Sequence, residues 1–402
     1  MGLGKQLFII SIGVVAFSFY SIHQSKKVKE GSVVAYSLPS PPSLDGPLTP
    51  NNALTGVEYI LKDQIKGPES FVVDGDTIYT GTHDARLLKI VKGKVEKEVK
   101  LFKGEKKCGG YESEPQCGRP LGMRRIEGDE LIVADAYLGV FRVDFNTGKK
   151  TLLIDSRMPI DGELPMFLND IDIISNDEFL VTDSSTIYGR KDFMREILGS
   201  KGTGRVIHHR ISTGESKVVV KGLHFANGIQ VVSQRGLATP PPSLSLQILP
   251  DRRSFVVSEC TRARVMRYYL DGPKKGTTEV FIENLPGLPD NIRLSANGTL
   301  WVGLAGIRKE GQPNALEALA EYPRIREFLL AMLPDLILRD VFPHLVPPHA
   351  IVVQMDVEGR IISTLHDVKG EKMREVSQVS DSGDYLYFGS FKAPYIARLK
   401  KF

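Results

Sequence analysis

Four short runs carry the oxygen chemistry of this chain. Gly67-Pro68-Glu69-Ser70, Phe167-Leu168-Asn169-Asp170, Phe225-Ala226-Asn227-Gly228 and Leu288-Pro289-Asp290-Asn291 each set a carboxylate or amide just where a strand-like run begins. A single Asn or Asp at such a point is usually a turn former. Four together offer carboxylate and amide oxygens, the hard donors of which calcium takes roughly six to eight in a shell completed by water. The absence of His and Cys at these positions argues against zinc. A calcium ion there would polarise an ester or lactone carbonyl and stabilise its oxyanion. Asp290 is the candidate base, with Asn169 beside it in the catalytic set. A carboxylate held against a cation is a weak base, so His224 and His349 stand as alternatives.

Bringing four distant runs together requires a repetitive fold. Six runs share one shape: TIYTGTHD (77–84), ELIVADAY (130–137), FLVTDSST (179–186), SFVVSECT (254–261), TLWVGLAG (299–306) and YLYFGSFK (385–392). Turn signals such as Asp74-Gly75-Asp76, Glu127-Gly128-Asp129 and Asn297-Gly298 precede several of them, and further strands such as ARLLKI, GVFRVD and RVMRYYL follow. Units of this size cannot bury both faces of their own sheet and stack radially as propeller blades. The expected fold is all-β: a six-bladed β-propeller with an N-terminal signal-anchor helix and a helical insertion. Its innermost strands line a channel, and their first residues converge at one mouth.

The remaining segments set the boundaries. Residues 7–22 carry no charge, with Lys5 before them and Lys26, Lys27 and Lys29 after. They suit a signal anchor better than a cleaved signal peptide. Taken alone, the lysines would put the C-terminal side in the cytoplasm. Residues 1–30 are assigned to the anchor and its flanks, 31–56 to a Pro/Ser-rich semi-extended stalk, and 57–402 to the propeller. Residues 312–347 are apolar and helix-like, broken by Pro323 and Pro334. They form either a lid or membrane-leaning surface, or a helix packing its stripe on the propeller. Residues 231–247 interrupt a blade and read as a foreign insertion, compatible with a translated retained intron. Uniform occurrence of the segment as a true exon in spliced transcripts would remove that reading.

Cys108 and Cys117 bracket a glycine- and charge-rich loop and suit a loop-stapling disulfide. The alternatives are two free thiols or half of a metal site, although no second Cys/His pair at ligand spacing follows. Cys260 reads as a buried lone thiol. Asn297-Gly298-Thr299 is a glycosylation sequon in a hairpin turn. Hydrophobic residues make up 42% and charged residues 25% of the 402, which excludes wholesale disorder. A net charge of +4 spread along the chain leaves no nucleic-acid footprint.

GPES, the cysteine loop followed by CGRPLG, VADAYLGVFRVD, FLNDI, VTDSS, ANGIQ, LPGLPDNIR and YFGSFKAPYIARL resemble, over about residues 57–402, the strictosidine synthase-like propellers. These are relatives of paraoxonase and the gluconolactonase/regucalcin group. The resemblance implies a single-pass, signal-anchored protein with its propeller lumenal or extracellular, at the plasma membrane or endoplasmic reticulum, and arylesterase-like hydrolysis. It carries the paraoxonase calcium ligands onto Glu69, Asn169, Asn227, Asp290 and Asn291. Two departures bear on chemistry. Leu121 stands where paraoxonase has a histidine. Ser377 stands where strictosidine synthase has its last-blade glutamate, with Glu375 on the same face if that strand is regular. Strictosidine synthesis is therefore not expected. The expected function is calcium-dependent hydrolysis of small aryl esters or lactones; the alternative is a catalytically silent, membrane-tethered adaptor with structural calcium.

Overall fold

The computed structural model describes residues 26–102, 104, 108–233, 253–312, 314–341 and 347–401. Its strands form six antiparallel four-stranded sheets. The innermost strands of blades 1 to 6 are Phe71–Asp74, Pro120–Glu127, Leu168–Ser175, Ala226–Ser233, Gly287–Leu294 and Gln378–Asp381. Each packs on its two neighbours, blade 6 returning to blade 1, so the ring closes. The six runs read as one repeated element are the second strands, from Thr77–Gly81 in blade 1 to Tyr385–Gly389 in blade 6.

The second strands look continuously apolar because both of their faces are buried. In Glu130–Asp135, Leu131 and Val133 join a cluster with Tyr79 and Leu87 of blade 1. The intervening Ile132 and Ala134 join Ile171 and Val181 of blade 3. The core is thus a set of layers between blades. Closure comes from the N-terminal strand Glu58–Ile60, which completes blade 6 by pairing with Ile396–Lys400, Glu58 opposite Arg398 and Ile60 opposite Ile396.

Several expectations need adjustment. The segment read as a stalk is extended but lies along the domain. Val34 N–H donates to the Gly199 carbonyl at 3.0 Å, Tyr36 N–H to Ala320 at 3.1 Å, and Arg308 Nη2 to Pro39 at 2.6 Å. The Tyr36 ring sits beneath Arg262 and Arg326, 4.3 and 5.0 Å from their guanidinium carbons. The expected anchor at 7–22 lies outside the described residues, and among the described residues no helix is long and apolar enough to cross a membrane. The boundary drawn at Val231 falls inside a strand, because Val231 pairs with Phe255 and Val232 with Ser254. Residues 234–247 of that stretch lie outside the described residues.

Within 312–347 helical turns occur at Ala315–Ala318, Pro323–Met332 and Ile337–Val341. Pro323 opens its helix, at a position where a missing N–H is tolerated, so the apparent interruption is a start. The helix buries Arg326 and Leu330 against the propeller and exposes Ile325 and Phe328, at 47% and 61%. The helix therefore packs one face on the propeller and leaves the other exposed.

Candidate metal centre

Side chains normally alternate along a strand, yet the mouth holds consecutive residues such as Asp290 and Asn291. The ladder explains this. In blade 3, Leu168 pairs with Asp183 and Ile171 with Val181, so Asn169 and Asp170 stand opposite Thr182 alone. The same slip places Asn227-Gly228 opposite Ser258, Asp290-Asn291 opposite Gly303 and Leu121-Gly122 opposite Ala134. Each is a β-bulge, a device that re-aims side chains next to functional sites. Close approach of neighbouring blades supports it: a Cβ on Gly228 would lie 2.5 Å from the Asn291 Cα.

Of the five expected ligands, Glu69, Asn169, Asn227 and Asp290 line one cavity at this mouth, and Asn291 follows Asp290 in its bulge. Glu69, Asn169, Asn227, Asp290 and Asn291 are all buried, none more than 5% exposed. Among the described residues, Glu69 Oε2, Asn169 Oδ1, Asn227 Oδ1, Asp290 Oδ1 and Asn291 Oδ1 have no hydrogen-bond partner. Buried polar atoms are almost always paired, so five unpartnered oxygens, one per residue, make these the candidate donors for a cation. The nearest guanidinium, Arg119, stays 3.8 Å from Glu69 Oε2 and spends its Nη2 hydrogen bond on the Gly67 carbonyl. Deeper in the channel, by contrast, charge is matched: Arg293 holds Asp170 with both terminal nitrogens, at 2.6 and 2.9 Å, and Arg124 Nε holds Asp172 at 2.8 Å.

Burial holds the Glu69 carboxyl above its usual range, opposed by Arg119. Burial, then the nearby Glu69, pushes Asp290 well above it. The Glu69 carboxylate thus opposes ionisation of Asp290, an effect that a bound cation would relieve. Among the described residues no three His, Cys, Asp or Glu side chains cluster as a metal site, so a cation here depends on the amide oxygens. That donor chemistry fits calcium. The Asn169 amide is already turned for the role. The Ser184 hydroxyl donates to the Ala226 carbonyl at 2.6 Å, so its oxygen accepts from Asn169 Nδ2 at 3.0 Å and leaves Oδ1 toward the mouth. This use of the VTDSS serine was not read from the sequence, where the run counted as a repeated strand and a motif of the resemblance but not as part of the site.

Above the donors lies a cavity of about 290 Å³. Its walls include Phe167, Phe225 and Leu288, each two residues before a donor, and Phe193, Met194 and Ile197 of the helix Phe193–Gly199. The cysteine loop supports the rim. Cys108 and Cys117 are disulfide-bonded, and Glu114 between them pairs with Arg190 at 2.6 Å, a residue that lines the cavity. Cys260 is free and buried. Leu121 joins the apolar cluster at the mouth, so blade 2 supplies no donor.

The Ser377 hydroxyl accepts from Phe391 N–H at 3.1 Å and lies beside Asp290, which it pulls toward the ionised form. Glu375 does not share a strand face with it, because the strand begins only at Gln378 and Glu375 has φ 49°; it nonetheless lines the cavity, paired with Lys392 at 3.1 Å. His224 is engaged elsewhere, with Nδ1 on the Ser200 carbonyl at 3.1 Å, while His349 lines the cavity. Asn297 sits exposed in the turn joining the first two strands of blade 5, at the opposite end of the inner strand from Asp290.

Comparison with known proteins agrees with this architecture. The family model described as strictosidine synthase matches residues 169–237, and that described as strictosidine synthase-like, N-terminal, matches residues 46–90. Adipocyte plasma membrane-associated protein from Gallus gallus is 36% identical over 364 residues, covering 90% of this chain and 82% of the relative. The Homo sapiens protein of that name is 34% identical over 364 residues, covering 90% and 82%. A solved structure described as a gluconolactonase superposes with a TM-score of 0.50 at 14% identity, covering 86% of this chain and 93% of that one, a likeness of fold alone. With its six blades and this ordered set of motifs, the chain belongs to the adipocyte plasma membrane-associated protein family of strictosidine synthase-like propellers.

Proposed function

We propose that this protein is a calcium-dependent hydrolase of small aryl esters or lactones, held at a membrane by its N-terminal segment. The observation that carries this reading is the set of five unpartnered, buried oxygens at the inner-strand entrances, four of them on residues that line an apolar-walled cavity. Glu69, Asn169, Asn227, Asp290 and Asn291 would hold the ion. When bound, it supplies a Lewis acid to a carbonyl oxygen and offsets the charge of the oxyanion. Phe167, Phe193 and Phe225 receive the apolar part of the substrate and keep bulk water from the carbonyl. Asn169 presents its oxygen in a fixed orientation because Ser184 holds its nitrogen. Asp290 serves as a ligand; charge stabilisation by an ion leaves it a poor proton acceptor.

Membrane attachment draws support from the side on which the chain enters. Lys27 pairs with Asp335, next to the helix whose Ile325 and Phe328 face solvent together with Tyr322 and Leu336. The decisive assay is turnover of a panel of aryl esters and lactones by purified protein. Expected is activity abolished by a chelator and restored by calcium. Calcium-dependent stabilisation without turnover of any substrate would instead favour the adaptor reading, with which Leu121 in place of a histidine is compatible.

A further inference from the structure

The cavity contains one imidazole whose hydrogen bonding is determined step by step from a backbone carbonyl. Thr364 Oγ1 donates to the Pro47 carbonyl at 2.8 Å, and a carbonyl can only accept. The Thr364 oxygen is therefore the acceptor for His366 Nε2, 2.7 Å away, which places the neutral His366 proton on Nε2. His366 Nδ1 is then a lone pair, and it accepts from His349 Nε2 at 2.8 Å. The only nitrogen left is His349 Nδ1. It is a lone pair, buried, with no hydrogen-bond partner among the described residues, on a residue that is 5% exposed and lines the cavity.

We propose that His349 is the general base of this site, its tautomer fixed by His366, Thr364 and the carbonyl of Pro47. The inference rests on the hydrolase reading and names the group that reading lacks. His349 immediately precedes the third strand of blade 5, Ala350–Met355, and His366 lies on the fourth, Ile361–Asp367. The N-terminal segment secures the arrangement twice more, with Asn51 Oδ1 accepting from His366 N–H at 3.0 Å and Asn51 Nδ2 donating to the Thr364 carbonyl at 2.9 Å.

In the reaction, His349 Nδ1 takes a proton from water as the water oxygen bonds to the carbonyl carbon. The carbon to ester-oxygen bond then breaks, and the leaving oxygen receives that proton from the imidazolium. The products are the alcohol or phenol and the carboxylic acid, which ionises into solvent. Burial, with Lys309, holds the His349 pKa below its usual value, so the ring is neutral at physiological pH. The surrounding charges are otherwise engaged. Asp367 accepts from the N–H groups of Lys372 and Met373, Arg374 donates to the Gly370 carbonyl, and Glu375 pairs with Lys392.

The test uses full-length protein with calcium, phenyl acetate and dihydrocoumarin as substrates. His349→Gln should lower kcat/KM by about 100-fold or more while the calcium-dependent thermal shift is kept. Thr364→Val removes the acceptor that fixes His366, which lets the pair reverse and puts a proton on His349 Nδ1. It should lower kcat by about tenfold or more with KM unchanged and displace the acid limb of the pH profile. Nitrogen-15 spectra of the wild type, which need no variant to fold, should show His349 protonated on Nε2 and unprotonated on Nδ1. An active wild type with an unaltered pH profile in both variants, or a His349 protonated on Nδ1, overturns the base assignment and leaves the hydrolase reading standing. A calcium-stabilised wild type that turns over neither substrate overturns both.

Discussion

At Asn169 one hydroxyl decides which atom of an amide reaches the mouth. Ser184 holds Nδ2 and thereby presents Oδ1, and groups that orient a ligand are worth about 10- to 100-fold in metal affinity. Ser184→Ala should weaken calcium binding by roughly tenfold, read by calorimetric titration. Saturating calcium at roughly 100 times Kd should stabilise the wild type by about 3 kcal/mol. A second residue-scale effect lies behind the cavity wall. Burial pushes the Glu196 carboxyl up to about 7, although Ser185 donates to it at 2.6 Å. A carboxyl raised on folding contributes stability that is fully present below its unfolded pKa and lost as pH rises through the folded value. Thermal melts should therefore show that stability declining between about pH 4.5 and 7. Glu196→Gln should flatten that decline and gain roughly 1–3 kcal/mol at pH 8.

At the scale of elements, the bulges and the cap carry the site. The Gly228 bulge tolerates no Cβ, since one would meet the Asn291 Cα at 2.5 Å and backbone of Asp290 at 2.6 Å. Gly228→Ala should cost about 1–3 kcal/mol in denaturant unfolding and weaken calcium binding with it, because the displaced backbone carries two of the donors. In the cap, the helix Pro323–Met332 presents Phe328 outward at 61% exposure. An environment-sensitive fluorophore on Phe328→Cys should shift to the blue when the full chain is reconstituted into vesicles, and an unshifted spectrum would place that face in water. A helical segment was legible here, but which of its residues face inward was not, because Arg326 is buried. Its guanidinium donates to backbone carbonyls of Leu198, Val34 and Ala320.

At the scale of the whole molecule, the ends and loops join distant parts of the chain to the mouth. The Cys108–Cys117 disulfide secures the loop that carries Glu114 and, through it, Arg190 at the cavity rim. Replacing both cysteines with serine should cost about 2–3 kcal/mol and raise KM more than it lowers kcat, measured on whichever ester the wild type hydrolyses. The N-terminal segment has a similar reach, since Pro47 and Asn51 order the histidine pair.

The six blades were legible because each repeats a run apolar on both faces, and local pattern is a property of sequence. The positions of Glu69, Asn169, Asn227, Asp290 and Asn291 were legible as well, since polar residues recur at strand starts. That their oxygens are orphaned while Asp170, one residue from Asn169, is paired depends on side chains from other blades. Only the tertiary structure decides that. The docking of residues 31–56 and the His349–His366–Thr364 chain were equally hidden, because they join residues far apart in sequence whose contact leaves no local periodicity. Sequence determined the repeated unit and its polar mouth; the ring closure decided which of those polar atoms have hydrogen-bond partners and which do not.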